Sequence, residues 1–209
     1  YEGYAQVLSE EDTGTDISVY ENPYALSIGY MASTDILDAA LDSNDPMQNQ
    51  EMLLQALLGD GSVKVFDRNY GYYADTVNCT TATTGDHIMY TTTVSDRDSY
   101  VEFTFTVETS DPVYVFFPTI YQRQCNMWLK AESWDIDNYA FVDYFFTGDY
   151  YSILDLGTYE PGEQLKLRMT LANGEAIFSD VLIYQLNMEE FSKAIDTLRQ
   201  GEWQIEEHT

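Results

Sequence analysis

With 209 residues, 44% of them hydrophobic, the chain has enough apolar material for a sizeable core, which excludes a disordered tail. Nine Lys and Arg stand against 36 Asp and Glu, a formal charge of -27. That balance argues against nucleic acid, whose phosphates demand bases, and against docking on an anionic membrane surface. No run of about 18 apolar residues is present, so nothing in this sequence predicts a membrane-spanning helix.

The first sixteen residues are polar and acidic, with a turn at Asp12-Thr13-Gly14-Thr15-Asp16. Residues 17–20 and 25–32 read as extended, broken at Asn22-Pro23. Pro23 lacks a backbone donor, so this break belongs at an edge or corner. A short helix is expected over 34–41, and residues 45–58 predict the clearest helix of the chain. Asp45 suits the N-cap, Pro46 the first helical position, and Gln48 the third position of a capping box. Met47, Leu54, Leu57 and Leu58 share one face, and Gly59 suits the position after the helix.

From Val63 the period becomes two. Val63, Val65 and the aromatic run 70–73 lead into a Thr-rich stretch over 76–84. Strands are then expected over 88–94, 100–108, 113–118, 125–131, 139–146, 151–156, 165–171 and 177–184. Over 100–107 the odd positions are apolar and 102, 104 and 106 are polar, the pattern of a strand with one buried face. Eighteen Tyr, ten Phe and three Trp fit such a sheet. Glu160-Pro161-Gly162 and Ala172-Asn173-Gly174 are hairpin breaks. Repeated strands at this spacing predict a mainly β fold, a jelly-roll-like β-sandwich with one or two short capped helices. A last helix is expected over 188–200, capped by Asn187 with Glu190 in the box, its stripe formed by Phe191, Ala194, Ile195 and Leu198. Trp203 begins another strand-like run just before the sequence stops. We therefore expect residues 1–209 to be a single domain, with a helical insertion around 34–58, cut from a longer chain.

Chemistry is sparse. Cys79 and Cys125 lie far from any CxxC spacing, and either a disulfide or two buried thiols fits them. His87 and His208 stand alone, and no nucleophile, phosphate-loop or dinucleotide phrase occurs. No catalytic residue and no cofactor is therefore assigned. Glu132, Asp135, Asp137, Asp143, Asp149 and Asp155 qualify as a glycosidase pair only by abundance. Acidic turns at 134–138 and 42–45 could suit calcium, although neither matches an EF-hand loop. Aromatics offer a binding reading, since sugars stack on Trp and Tyr while nearby polar groups bond their hydroxyls. Trp128, Trp134, Tyr139 and Tyr144 are the candidate glycan-binding residues, with Tyr150 and Tyr151 beside them. The alternative for all of them is sheet core and cross-strand packing.

Four phrases carry a resemblance. They are Asn22-Pro23-Tyr24-Ala25-Leu26 with Gly29, Asp45-Pro46 with Asn49-Gln50 and a leucine-rich helix, Ile153 through Tyr159 with Pro161-Gly162-Glu163, and Tyr184-Gln185-Leu186-Asn187 before the last helix. Together they resemble the YfhO family of bacterial membrane proteins, with Met47 where that family more often has an aromatic. The resemblance implies an extracellular, β-rich portion of a multi-spanning protein whose membrane part is similar to GT-C glycosyltransferases. It implies as partners the protein's own transmembrane region and a cell-envelope glycan or lipid-linked sugar, with teichoic acid as one polymer decorated. The function expected is accessory, binding or positioning glycan at the extracellular face of the cell membrane. A secreted carbohydrate-binding module or adhesin is the alternative, and a secreted glycoside hydrolase the third reading.

Overall fold

Strict alternation decides the architecture. In Gln164–Leu171 every second side chain is buried, and Cys125–Ala131 repeats the pattern. Each strand therefore presents one apolar face and one polar face, and two such sheets close on each other over the apolar one. The computed structural model describes residues 5–9, 18–26, 30–41, 43–69, 71–94, 98–118, 125–134, 138–145, 153–171 and 174–201.

In chain order the described strands are β1 (Ala5–Leu8), β2 (Val19–Glu21), β3 (Phe66–Asn69), β4 (Tyr72–Val77), β5 (Cys79–Thr84), β6 (His87–Thr92) and β7 (Tyr100–Thr106). They continue with β8 (Val113–Phe116), β9 (Cys125–Ala131), β10 (Ala140–Phe145), β11 (Ile153–Gly157), β12 (Gln164–Leu171), β13 (Glu175–Phe178) and β14 (Leu182–Leu186). The helices are α1 (Pro46–Leu58) and α2 (Met188–Arg199), with a 3-10 turn at Thr34–Asp38.

The chain divides into two compact units. The larger holds Leu41–Met52 and Lys64–Met188. Its five-stranded sheet runs β10-β9-β12-β7-β4 and its four-stranded sheet β11-β8-β14-β3, all antiparallel. Count β3, β7, β8, β9, β10, β11, β12 and β14 as first to eighth. The sheets then read sixth-third-eighth-first and fifth-fourth-seventh-second, the nested strand order of a jelly roll. A smaller sheet, β13-β6-β5, completes the unit. The core joins Val101, Phe103, Met127, Leu167 and Met169 of the larger sheet to Val115, Leu154 and Ile183 of the smaller. Phe103 meets Phe117 and Phe178 at ring-centroid distances of 5.7 and 5.9 Å.

The other unit comprises Tyr1–Ala40, Leu53–Val63 and Glu189–Thr209. Its β1–β2 ribbon is exposed along both strands. In α2, Ala194, Ile195 and Leu198 are buried, three members of the expected stripe, and the fourth, Phe191, packs its ring 5.6 Å from that of Tyr24. Gly59 has φ +67°, as its place after α1 requires, and a Cβ there would come within 2.8 Å of Ser33 Oγ.

The structure departs from the expected elements at β1, in a stretch read only as polar and acidic, and in three further places. The first helix is a 3-10 turn that stops at Asp38. The Thr-rich stretch forms β4 and β5, split where Asn78 adopts φ 53°; threonine is β-branched and suits a strand. The expected 177–184 strand is two, β13 and β14, because Asp180 turns out to accept hydrogen bonds from Arg68 and the Tyr72 hydroxyl, both at 3.0 Å. The expected strand at 203–206 lies outside the described residues. The two cysteines form no disulfide with each other; Cys125 is buried and Cys79 half-buried.

Candidate functional site

The outer face of the five-stranded sheet concentrates the chain's unusual chemistry. Registers across the five strands place Asp75, Glu102, Arg168, Trp128 and Phe141 opposite one another in turn. The adjacent row holds Val77, Tyr100, Thr170, Asn126 and Tyr144. On β7, β9 and β12 these residues alternate with core residues, so the strand period that builds the core also delivers them outward.

Glu102 is the centre of the arrangement, with its side chain only 12% exposed. Arg168 Nη2 and Nε donate to Glu102 Oε2 at 2.8 and 3.1 Å, and the Tyr139 hydroxyl donates to the same oxygen at 2.5 Å. Lys166 Nζ lies 3.6 Å from the other oxygen. Burial opposes the charge on Glu102, but Tyr139, Arg168 and Lys166 outweigh it and hold the carboxyl below its ordinary value. Burial, then the hydrogen bond to Glu102, pushes Tyr139 up to about 12, so its hydroxyl stays a donor. The Arg168 guanidinium is stacked between two rings, its carbon 3.9 Å from the Tyr100 centroid and 3.7 Å from that of Tyr139. Such stacking on both sides fixes a side chain that is otherwise mobile.

Beside this network runs a groove of about 440 Å³, lined among others by Asp98, Tyr100, Asn126, Trp128, Tyr139 and Arg168. Trp128 packs edge-on against Phe141 with centroids 5.4 Å apart, and its Nε1 donates to Thr170 Oγ1 at 3.4 Å. Phe141 is 55% exposed, an apolar ring beside the Trp128 indole. The groove thus combines aromatic surface with an amide, a carboxylate and a guanidinium.

Of the aromatics expected to bind glycan, Trp128 and Tyr139 line the groove, and Tyr144 stands opposite Asn126 at its edge strand. Trp134 is placed elsewhere and packs against the sandwich core. Tyr150 and Tyr151 lie outside the described residues. Sequence reasoning missed Tyr100, Glu102 and Arg168. Their signal was present as alternate polar positions on half-buried strands, but the register that joins them is not local.

Of the carboxylates weighed for hydrolysis, Asp155 Oδ1 accepts the Gly157 N–H at 3.0 Å and Asp143 Oδ1 the Tyr144 N–H at 2.7 Å, both where the register shifts within a strand. Asp135, Asp137 and Asp149 lie outside the described residues, as do Asp42 and His208. His87 pairs with Asp86 at 2.6 Å. Among the described residues no group of three or more His, Cys, Asp and Glu is arranged to hold a metal.

The phrase around Asp45 is architectural. Asp45 Oδ1 accepts the N–H groups of Met47 at 3.0 Å and Gln48 at 3.4 Å, an N-cap, and its other oxygen accepts the Tyr184 hydroxyl. Asn49 exchanges two bonds with the Ser43 backbone, at 2.8 and 3.1 Å. Glu51 Oε2 accepts the N–H groups of Val65 and Phe66 at 2.9 and 3.1 Å. The Gln48 side chain bonds Ser43 Oγ, and that same hydroxyl accepts the Asp45 N–H, so the capping-box bond is replaced.

Comparison with known proteins gives one match over nearly the whole chain and a partial one. The family model described as bacterial membrane protein YfhO matches residues 5–209. No curated protein matches. Among solved structures, the chain is similar to a family 29 carbohydrate-binding module from Piromyces equi at 10% identity and TM-score 0.42, covering 59% of this chain and 87% of that one. A mutant of a family 29 module is similar at 14% identity and TM-score 0.42, covering 57% and 89%.

Proposed function

The chain belongs to the YfhO family of bacterial membrane proteins, and from that premise we propose that it is an accessory domain at the extracellular face of the cell membrane. No helix among its described residues is long and apolar enough to cross a membrane. In this reading the outer face of the five-stranded sheet binds glycan and positions it for a glycosyltransferase step carried out by the protein's membrane part. The glycan belongs to a cell-envelope polymer such as teichoic acid, or to the lipid-linked sugar donor. This chain does not itself catalyse the transfer.

One observation carries the reading. The groove places Trp128 beside Asn126, Asp98 and Arg168 on a rigid sheet. Sugars present apolar ring faces and a rim of hydroxyls, so aromatic area with a few fixed donors and acceptors is the chemistry that recognises them. The Glu102 network holds Arg168 and Tyr139 in place before any ligand arrives, which lowers the cost of ordering on binding.

Two-dimensional NMR during titration with fragments of cell-envelope polymers tests this. Resonances of Trp128, Asn126 and Tyr139 are expected to move together and saturate. Shifts confined to residues of the opposite sheet, or none with any fragment, would refute the site.

A further inference from the structure

We propose that a second copy of this chain pairs with it along β5, edge to edge and antiparallel, about a twofold axis at Ala82. β5 (Cys79–Thr84) ends its sheet, hydrogen-bonded to β6 alone among the described residues. All of Thr80 to Thr84 is exposed, and the register with β6 runs without a bulge. Residues 76–85 hold no charge, in a chain where 22% of residues are charged. An open edge ordinarily carries a charge, a proline or a bulge that turns other strands away. β5 has none of these, so its edge is left able to pair.

Backbone and side chains both fit a second copy. Gly85 and Asp86 form a two-residue turn that closes the hairpin at the Thr84–His87 pair. Backbone groups alternate in direction along a strand, so Thr80, Ala82 and Thr84 bond inward to β6, and Thr81 and Thr83 direct N–H and C=O to the open edge. The segment Thr80-Thr81-Ala82-Thr83-Thr84 reads the same in both directions. An antiparallel copy centred on Ala82 therefore sets Thr81 against the partner's Thr83, where both backbone bonds are exchanged, and the axis repeats that exchange at Thr83. Thr80 meets the partner's Thr84, so threonine faces threonine on both sides of the sheet, a favourable cross-strand pair. Small Ala82 at the axis, a non-hydrogen-bonded position, admits the closest approach. Two chains of formal charge -27 repel each other, and a self-contact costs least where neither bears charge. Asp86, the acid at the end of the edge, is engaged by His87 at 2.6 Å. Pairing over a few residues buries less than the roughly 1,200 Å² of a stable complex, so the dimer is a transient one.

Sedimentation velocity from about 10 µM to about 1 mM tests this. The native chain should pass reversibly from monomer to dimer, with no larger species, because a twofold contact closes on itself. Ala82→Lys and Ala82→Glu each set like charges against each other at the axis. Each should sediment as a monomer throughout, with an unchanged unfolding midpoint because the position is exposed. Mixed in equal amounts, the two should form a heterodimer that rising salt dissociates. Rescue by mixing cannot come from misfolding of either variant. A native chain that is still monomeric at about 1 mM overturns the proposal and leaves the edge to a strand of another protein. Dimerisation that both variants retain overturns it too, as does a mixture of the two that stays monomeric.

Discussion

Glu102 is the residue on which the outer face depends, since Tyr139, Arg168 and Lys166 all converge on its carboxylate. Its folded-state affinity for protons lies below the ordinary 4.5. A carboxyl shifted this way contributes stability that is whole above the unfolded value and is lost as pH falls through the folded one. Glu102→Gln should therefore be less stable than the native chain at pH 7, and the two denaturation curves should converge in acid. A gap that stays constant from neutral pH to acid would contradict the ion-pair origin. Arg168→Lys keeps the charge but loses the planar stack between Tyr100 and Tyr139 and the paired bonds to Glu102. It should cost about 1–2 kcal/mol of stability and weaken glycan binding, measured by urea unfolding and calorimetry on one preparation. Trp128 and Tyr139 were legible as candidates because aromatic side chains announce themselves. Glu102 and Arg168 were not, because they lie 66 residues apart and only the β7–β12 register brings them together.

At the level of elements, local chemistry was legible and exchanged partners were not. The caps of α1 could be read from Asp45, Pro46 and Gly59, since each acts on backbone a few residues away. The partner of Asp45 across the fold, the Tyr184 hydroxyl, could not, and neither could Ser43's displacement of the capping box. Asp45→Ala removes both the cap and the Tyr184 bond and should destabilise the sandwich unit by about 2–3 kcal/mol in urea unfolding. On β14, buried Gln185 binds the 108–111 loop with its whole amide. Its oxygen accepts the Glu108 and Thr109 N–H groups at 2.8 and 3.3 Å, and its nitrogen donates to the Thr109 carbonyl at 2.9 Å. Gln185→Leu keeps the volume but orphans those groups, so a loss of about 2–4 kcal/mol is expected. A loss under about 0.5 kcal/mol would mean that water replaces the amide.

For the molecule as a whole, the sandwich was legible because period-two strands between turn residues admit few other arrangements. Its jelly-roll order follows from pairings such as β3–β14 that join distant parts of the chain. The β13-β6-β5 sheet went unforeseen because a run of threonines carries no apolar alternation to mark it. The proposed placement outside the membrane has its own check. An epitope tag in the exposed β5–β6 turn at Gly85 should be cleaved by protease added to spheroplasts that still hold a cytoplasmic marker; protection of the tag would refute that placement. The most direct test of glycan recognition by the outer face is calorimetric titration of cell-envelope oligosaccharides into the native chain and Trp128→Ala. Saturable binding is expected, at least tenfold weaker in the variant at an unchanged unfolding midpoint. Equal affinity in the two proteins, or no binding by the native chain, would contradict it.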